Sequence, residues 1–135
     1  MKSLTTVLFL MVFMQSAVSG AADKSICQPE NSMSFFADGQ VKACNLANYY
    51  ENGSLKCSPN NQIVFHQNGR IASCVLYERG NFNGTPCGDQ GLIEFYASGN
   101  LLSCTLSKDV TVKGTKCTET QRLRLSENGE VLSCS

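Results

Sequence analysis

The chain has 135 residues, with 11 Lys+Arg against 11 Asp+Glu, 8 cysteines, one histidine and no tryptophan. A formal charge of zero excludes a nucleic-acid binder driven by net charge, which needs a cationic excess to displace counterions. With 42% hydrophobic residues the chain is also no disordered polar tail, and its length fits one domain.

The first segment reads as a targeting signal. Lys2 is the only charge before Asp23, the run from Leu4 to Met14 is almost wholly apolar, and small residues follow at Ala17, Ser19, Gly20, Ala21 and Ala22. A positive start, a short apolar stretch and a small-residue exit make residues 1–22 a secretory signal peptide, since a membrane span needs about 20 apolar residues. Cleavage near Ala22 leaves a mature domain of residues 23–135, secreted or periplasmic, with no segment apolar enough to span a bilayer.

Beyond it the cysteines set the organisation. They stand at Cys27, Cys44, Cys57, Cys74, Cys87, Cys104, Cys117 and Cys134, so each member of a pair recurs every 30 residues. The units are 27–56, 57–86, 87–116 and 117–135. Each carries an apolar residue, a spacer and Phe or Leu (Met33/Phe35, Ile63/Phe65, Ile93/Phe95, Leu123/Leu125), then a glycine (Gly39, Gly69, Gly99, Gly129). Self-similarity at a fixed period is the signature of a repeat architecture.

Within a unit the apolar period is two, which predicts strands, and Asp38-Gly39, Asn68-Gly69, Ser98-Gly99 and Asn128-Gly129 supply turn chemistry. A three-residue loop with a left-handed glycine sets Phe35 opposite Val41, Phe65 opposite Ile71, Phe95 opposite Leu101 and Leu125 opposite Val131. All four pairs are apolar. Regular alternation from there puts Cys44, Leu46 and their equivalents on the other face. The stretches between hairpins read as loops with short strands such as Val110 to Val112. Gly84-Thr85-Pro86-Cys87 and Gly114-Thr115-Lys116-Cys117 match each other there, whereas Ser54-Leu55-Lys56-Cys57 does not. The expected fold is all-β: four tandem hairpin repeats stacked into an elongated antiparallel sheet or solenoid-like array.

An even cysteine count behind a signal peptide implies disulfides. Zinc sites show close Cys pairs, whereas these gaps alternate between 16 and 12 intervening residues, so no metal is expected. Pairing within each unit (Cys27–Cys44, Cys57–Cys74, Cys87–Cys104, Cys117–Cys134) leaves no orphan. Linking units across the shorter gap strands Cys27 and Cys134 at opposite ends. Same-position links such as Cys44–Cys74 stay open.

The run Phe35-Phe36-Ala37-Asp38-Gly39-Gln40-Val41 resembles the hairpin of MORN-type repeats, and Tyr49-Tyr50-Glu51-Asn52-Gly53-Ser54-Leu55-Lys56 resembles the bacterial MORN-variant form. The similarity covers the hairpins, under half of the mature chain. It implies hairpins stacked into an elongated sheet that serves as an interaction scaffold.

No catalytic constellation is legible and no cofactor is implied. His66 occupies the hairpin position held by Phe36, Tyr96 and Ser126 and reads as an exposed turn residue. Asp38, Asp89, Glu94, Asp109, Glu119, Glu127 and Glu130 fall at non-equivalent positions and read as solvated charges. Phe36, His66 and Tyr96, on the face opposite Phe35, form a candidate ligand ladder joined by Tyr50, Tyr77 or Phe82 from the loops. Ser126 with Arg122, Arg124, Glu127 and Glu130 reads as a polar end cap. The expected function is that of an exported, non-catalytic binding or scaffold module with a protein or carbohydrate partner. The main alternative is an inhibitor or effector presenting the loop Tyr77-Glu78-Arg79-Gly80-Asn81-Phe82, with Arg79 at its centre, to one target. An enzyme stands third. Sequons begin at Asn52 and Asn83 and, in a eukaryotic source, would mark exposed loops.

Overall fold

A computed structural model describes residues 23–29 and 32–135; residues 1–22, where a signal peptide is expected, lie outside the described residues. After a 3₁₀ turn at Lys24–Ile26 the chain runs through fourteen strands. In order they are β1 (Ser34–Phe35), β2 (Val41–Asn45), β3 (Tyr50–Asn52), β4 (Leu55–Cys57), β5 (Gln62–Phe65), β6 (Ile71–Val75) and β7 (Gly80–Phe82). Then come β8 (Thr85–Cys87), β9 (Leu92–Phe95), β10 (Leu101–Thr105), β11 (Val110–Val112), β12 (Thr115–Cys117), β13 (Arg122–Leu125) and β14 (Val131–Cys134).

Eight of them form one antiparallel sheet in the order β1-β2-β5-β6-β9-β10-β13-β14, a meander of four hairpins laid side by side. The hairpin register is the one that pairs apolar residues: Phe35 with Val41, Phe65 with Ile71, Phe95 with Leu101 and Leu125 with Val131. Each turn closes the same way, with Phe36 N–H donating to Gln40 O at 2.8 Å and Gly39, at φ +86°, donating to Phe36 O at 2.9 Å. A left-handed residue is required at that point, and glycine takes it without a Cβ penalty.

One step past each turn the ladder slips. Ser34 pairs with Ala43 although Phe35 pairs with Val41, so Lys42 is an extra residue on its strand, and Ala72, Leu102 and Leu132 repeat the bulge. This overturns the expectation that Cys44 and Leu46 lie on the face opposite Phe35. A bulge absorbs one residue and inverts the alternation beyond it, so Cys44 pairs with Ile63 and Cys74 with Ile93 on the core face. Val41, Cys44 and Leu46 are all buried there.

The stretches between hairpins are hairpins themselves, each a two-stranded sheet: β3-β4, β7-β8 and β11-β12. They lie over the core face of the large sheet, where Tyr50 meets Phe65 and Phe82 meets Phe95 edge to face, both at 6.1 Å. The second and third turn on Asn83-Gly84 (φ 51° and 80°) and Lys113-Gly114 (45° and 85°), both residues left-handed as a type I′ turn demands. In the first, glycine comes one residue earlier; Gly53 alone is left-handed (φ 60°), the pattern of a type II′ turn. Ser54-Leu55-Lys56-Cys57 therefore belongs to the same structure as its counterparts despite the missing match.

The disulfides are Cys27–Cys44, Cys57–Cys74, Cys87–Cys104 and Cys117–Cys134, each spanning 17 residues. From the second unit on, each ties the last strand of a small hairpin to a strand of the large sheet, so the cross-links join the two layers. Ile63, Ile93 and Leu123 are 0% exposed between them. Such a thin two-layer core relies on cross-links more than a thicker domain would.

Candidate functional site

Phe36, His66 and Tyr96 are all half-buried where their hairpins enter the turn. His66 Nε2 lies 2.8 Å from Phe95 O, and Tyr96 Oη donates to Leu125 O at 2.7 Å, so each side chain reaches the backbone of the next unit. Phe36 lies beneath the Lys42 ammonium at 6.0 Å. The turns are joined by further bonds of the same kind, Asn68 Nδ2 to Ala97 O at 2.7 Å and Asn100 Nδ2 to Glu127 O at 3.1 Å, while Arg70 reaches Ser98 O. Much of the polar capacity at this ladder position is thus committed to holding units in register.

Tyr77 and Arg79 are exposed at the base of the β3-β4 hairpin, where Tyr77 N–H donates to Lys56 O at 2.8 Å. Tyr77 meets Tyr49 edge to face at 4.5 Å, and the Lys56 ammonium stands 5.0 and 5.1 Å over the two rings. Glu78 at 3.1 Å and Glu51 at 3.3 Å hold that ammonium above the usual lysine range. Arg79 reaches Asp89 at 4.0 Å. Phe82 does not stand with them. It is 8% exposed and belongs to the core, because the β7-β8 hairpin folds its ring inward onto Phe95.

On the open face of the large sheet Glu94 is the best-connected carboxylate. It accepts from Ser103 Oγ and pairs with Arg122 Nη2 at 2.9 Å, and Arg122 also donates to Ser103 Oγ at 2.7 Å and to Leu92 O at 2.7 Å. Burial alone would raise the Glu94 pKa, but hydrogen bonds from Ser103 and Arg122 outweigh it and leave the pKa below the ordinary value. A carboxylate held ionised in this way is a poor proton donor near neutral pH. Because the folded pKa is the lower one, Glu94 contributes stability above its unfolded pKa and loses it as pH falls through the folded value. Melting profiles between pH 7 and about pH 3 should therefore fall more steeply for the native protein than for Glu94→Gln. Parallel profiles would show that the network adds nothing.

Among the described residues no three His, Cys, Asp or Glu side chains are grouped to hold a metal ion, and no helix is long and apolar enough to cross a membrane.

Among the described residues, two grooves lie between the tips of the small hairpins and the turns of the large sheet. The first holds about 400 Å³, within the usual range for small-ligand sites. Leu55, Ile71, Phe82 and Phe95 provide its apolar lining, and Asn52, Asn81 and Asn83 its amides. The second, of about 290 Å³, is lined by Leu101, Val112 and Leu125 with Asn100 and Asn128. They are one feature repeated: Leu55, Arg70, Ile71, Phe82, Phe95 and Gly99 recur thirty positions later as Thr85, Asn100, Leu101, Val112, Leu125 and Gly129. Asn83 lines both. The grooves are invisible in the sequence without the small hairpins. The signal the sequence carries is the two Asn-Gly pairs, Asn52-Gly53 and Asn83-Gly84, whose asparagines stand at the hairpin tips.

No family model, curated protein or solved structure matches the chain.

Proposed function

We propose that the protein is an exported, non-catalytic binding module that presents a repeated surface, built on a MORN-like hairpin scaffold pinned by disulfides. The observation that carries this reading is the recurrence of the groove at equivalent positions of successive units, the arrangement by which repeat proteins build extended binding surfaces. Export is supported by the signal-like segment 1–22 together with four disulfides, which persist in oxidising compartments. The absence of turnover is inferred from the placement of the polar groups: His66 is engaged with a neighbouring carbonyl and Glu94 with Arg122.

A second reading, an inhibitor presenting Tyr77 and Arg79 to one protein, draws on the exposed Tyr49–Tyr77 pair. The test is an array of defined extended peptides, glycans and folded proteins probed with the exported protein, run beside a panel of hydrolase substrates. Saturable binding without turnover, graded across groove substitutions, is the expected result. Turnover abolished by His66→Ala or by loss of one carboxylate would make the protein an enzyme. Binding lost in Tyr77→Ala and Arg79→Ala but kept in groove variants would transfer the role to the loop.

A further inference from the structure

Resting on the binding-module reading, we propose that the two grooves form one docking track for a polypeptide segment in the polyproline II conformation. Spacing is the first argument. Neighbouring strands lie about 4.8 Å apart and each unit contributes two to the large sheet, so equivalent grooves recur about every 9.6 Å. A polyproline II helix has three residues per turn at about 3.1 Å each, so the same side faces the protein about every 9.3 Å. An extended β-peptide covers that distance in about three residues, an odd number, and turns the opposite side to the second groove.

The chemistry agrees with the spacing. A polyproline II segment makes no internal hydrogen bonds, so its carbonyls require outside donors. The side chains of Asn52, Asn81 and Asn83 line the first groove, and none of them bonds to another described residue. By contrast Asn61, Asn68 and Asn100 spend their amide donors on backbone carbonyls of the protein. The apolar lining suits pyrrolidine rings. Phe82 and Phe95 line the first groove, the kind of aromatic surface on which Pro-rich segments dock, and Leu101, Val112 and Leu125 continue the apolar floor in the second. The charges, Arg70 in one groove and Glu127 in the other, leave the track neutral overall.

Asn83 is the decisive residue because it borders both grooves at the tip of a type I′ turn, φ 51°. Asn83→Gly keeps the left-handed turn and deletes only the amide. The experiment is calorimetric titration of the exported protein, made in a host without N-glycosylation because Asn83 heads a sequon and a glycan there would cover both grooves. The probes are nonaproline, triproline and a neutral hexasaccharide. Nonaproline should bind at least about tenfold more tightly than triproline, which reaches one groove only. Asn83→Gly should weaken nonaproline roughly tenfold, the equivalent of one good hydrogen bond. The double variant Asn52→Ala/Asn81→Ala, at exposed strand positions, should weaken it likewise and repeats the test without touching the turn. Nonaproline affinity unchanged in both variants overturns the site. Binding of the hexasaccharide alone overturns the ligand class and leaves the binding module standing. Binding of neither probe overturns the track, and substrate turnover on the hydrolase panel would remove the underlying reading as well.

Discussion

Replacing Cys57 and Cys74 together by alanine is expected to lower the unfolding free energy by about 3 kcal/mol, the value of the chain-entropy model for a loop of this size. The bridge spans 17 residues, and both cysteines are 0% exposed. It ties β4 to β6, so its loss frees a small hairpin of three-residue strands that is marginal by itself. Cys117–Cys134 spans the same 17 residues, but Cys134 is only partly buried, on a strand at the end of the sheet. The two double variants therefore separate two causes in guanidinium unfolding. Equal losses mean that each bridge acts by restricting the unfolded chain. A larger loss in the central pair means that the interlayer packing collapses as well. A central loss below about 1 kcal/mol would show that the layers hold without their cross-links, contrary to the thin-core argument.

Ile93→Ala should cost about 3 kcal/mol, within the range for buried Ile to Ala truncations. Ile93 pairs with Cys74 across the ladder and is 0% exposed between the two layers. Few neighbours can close the cavity, because the large sheet is hydrogen-bonded on either side and the covering hairpin is held by a disulfide. Ile63→Ala and Leu123→Ala should cost nearly as much, since the same position in their units is equally buried. Leu132→Ala provides the contrast. Leu132 is an extra residue in its bulge and 61% exposed, so its truncation should stay within about 0.5 kcal/mol. Chemical denaturation of the four variants checks the pattern. A loss at Ile93 no greater than at Leu132 would refute the two-layer core.

Much of the fold was legible because its information is local and repeated. Four cysteine pairs at one spacing, four glycine turns and four apolar pairs across them check one another. Elements with weaker local signals are harder to read. In Lys42-Ala43-Cys44 nothing marks Lys42 as the extra residue, because Ala72, Leu102 and Leu132 at the same position share no chemistry. The small hairpins were obscured by the shift of glycine from Gly84 and Gly114 to Gly53, which exchanges one turn type for another that closes an equivalent hairpin. Without that hairpin nothing in the sequence turns Phe82 into the core.

The sequence by itself determined the thirty-residue unit, the hairpin turns and their register, because glycine at positive φ and cross-strand apolar pairing act over a few residues. Only the tertiary structure decided that Cys44 and Leu46 face inward, that three more hairpins cover the sheet, and that Asn52, Asn81 and Asn83 meet at one groove. The physical reason is that a bulge inverts every residue beyond it. A covering layer, moreover, brings together side chains whose separation along the chain carries no trace of their distance in space.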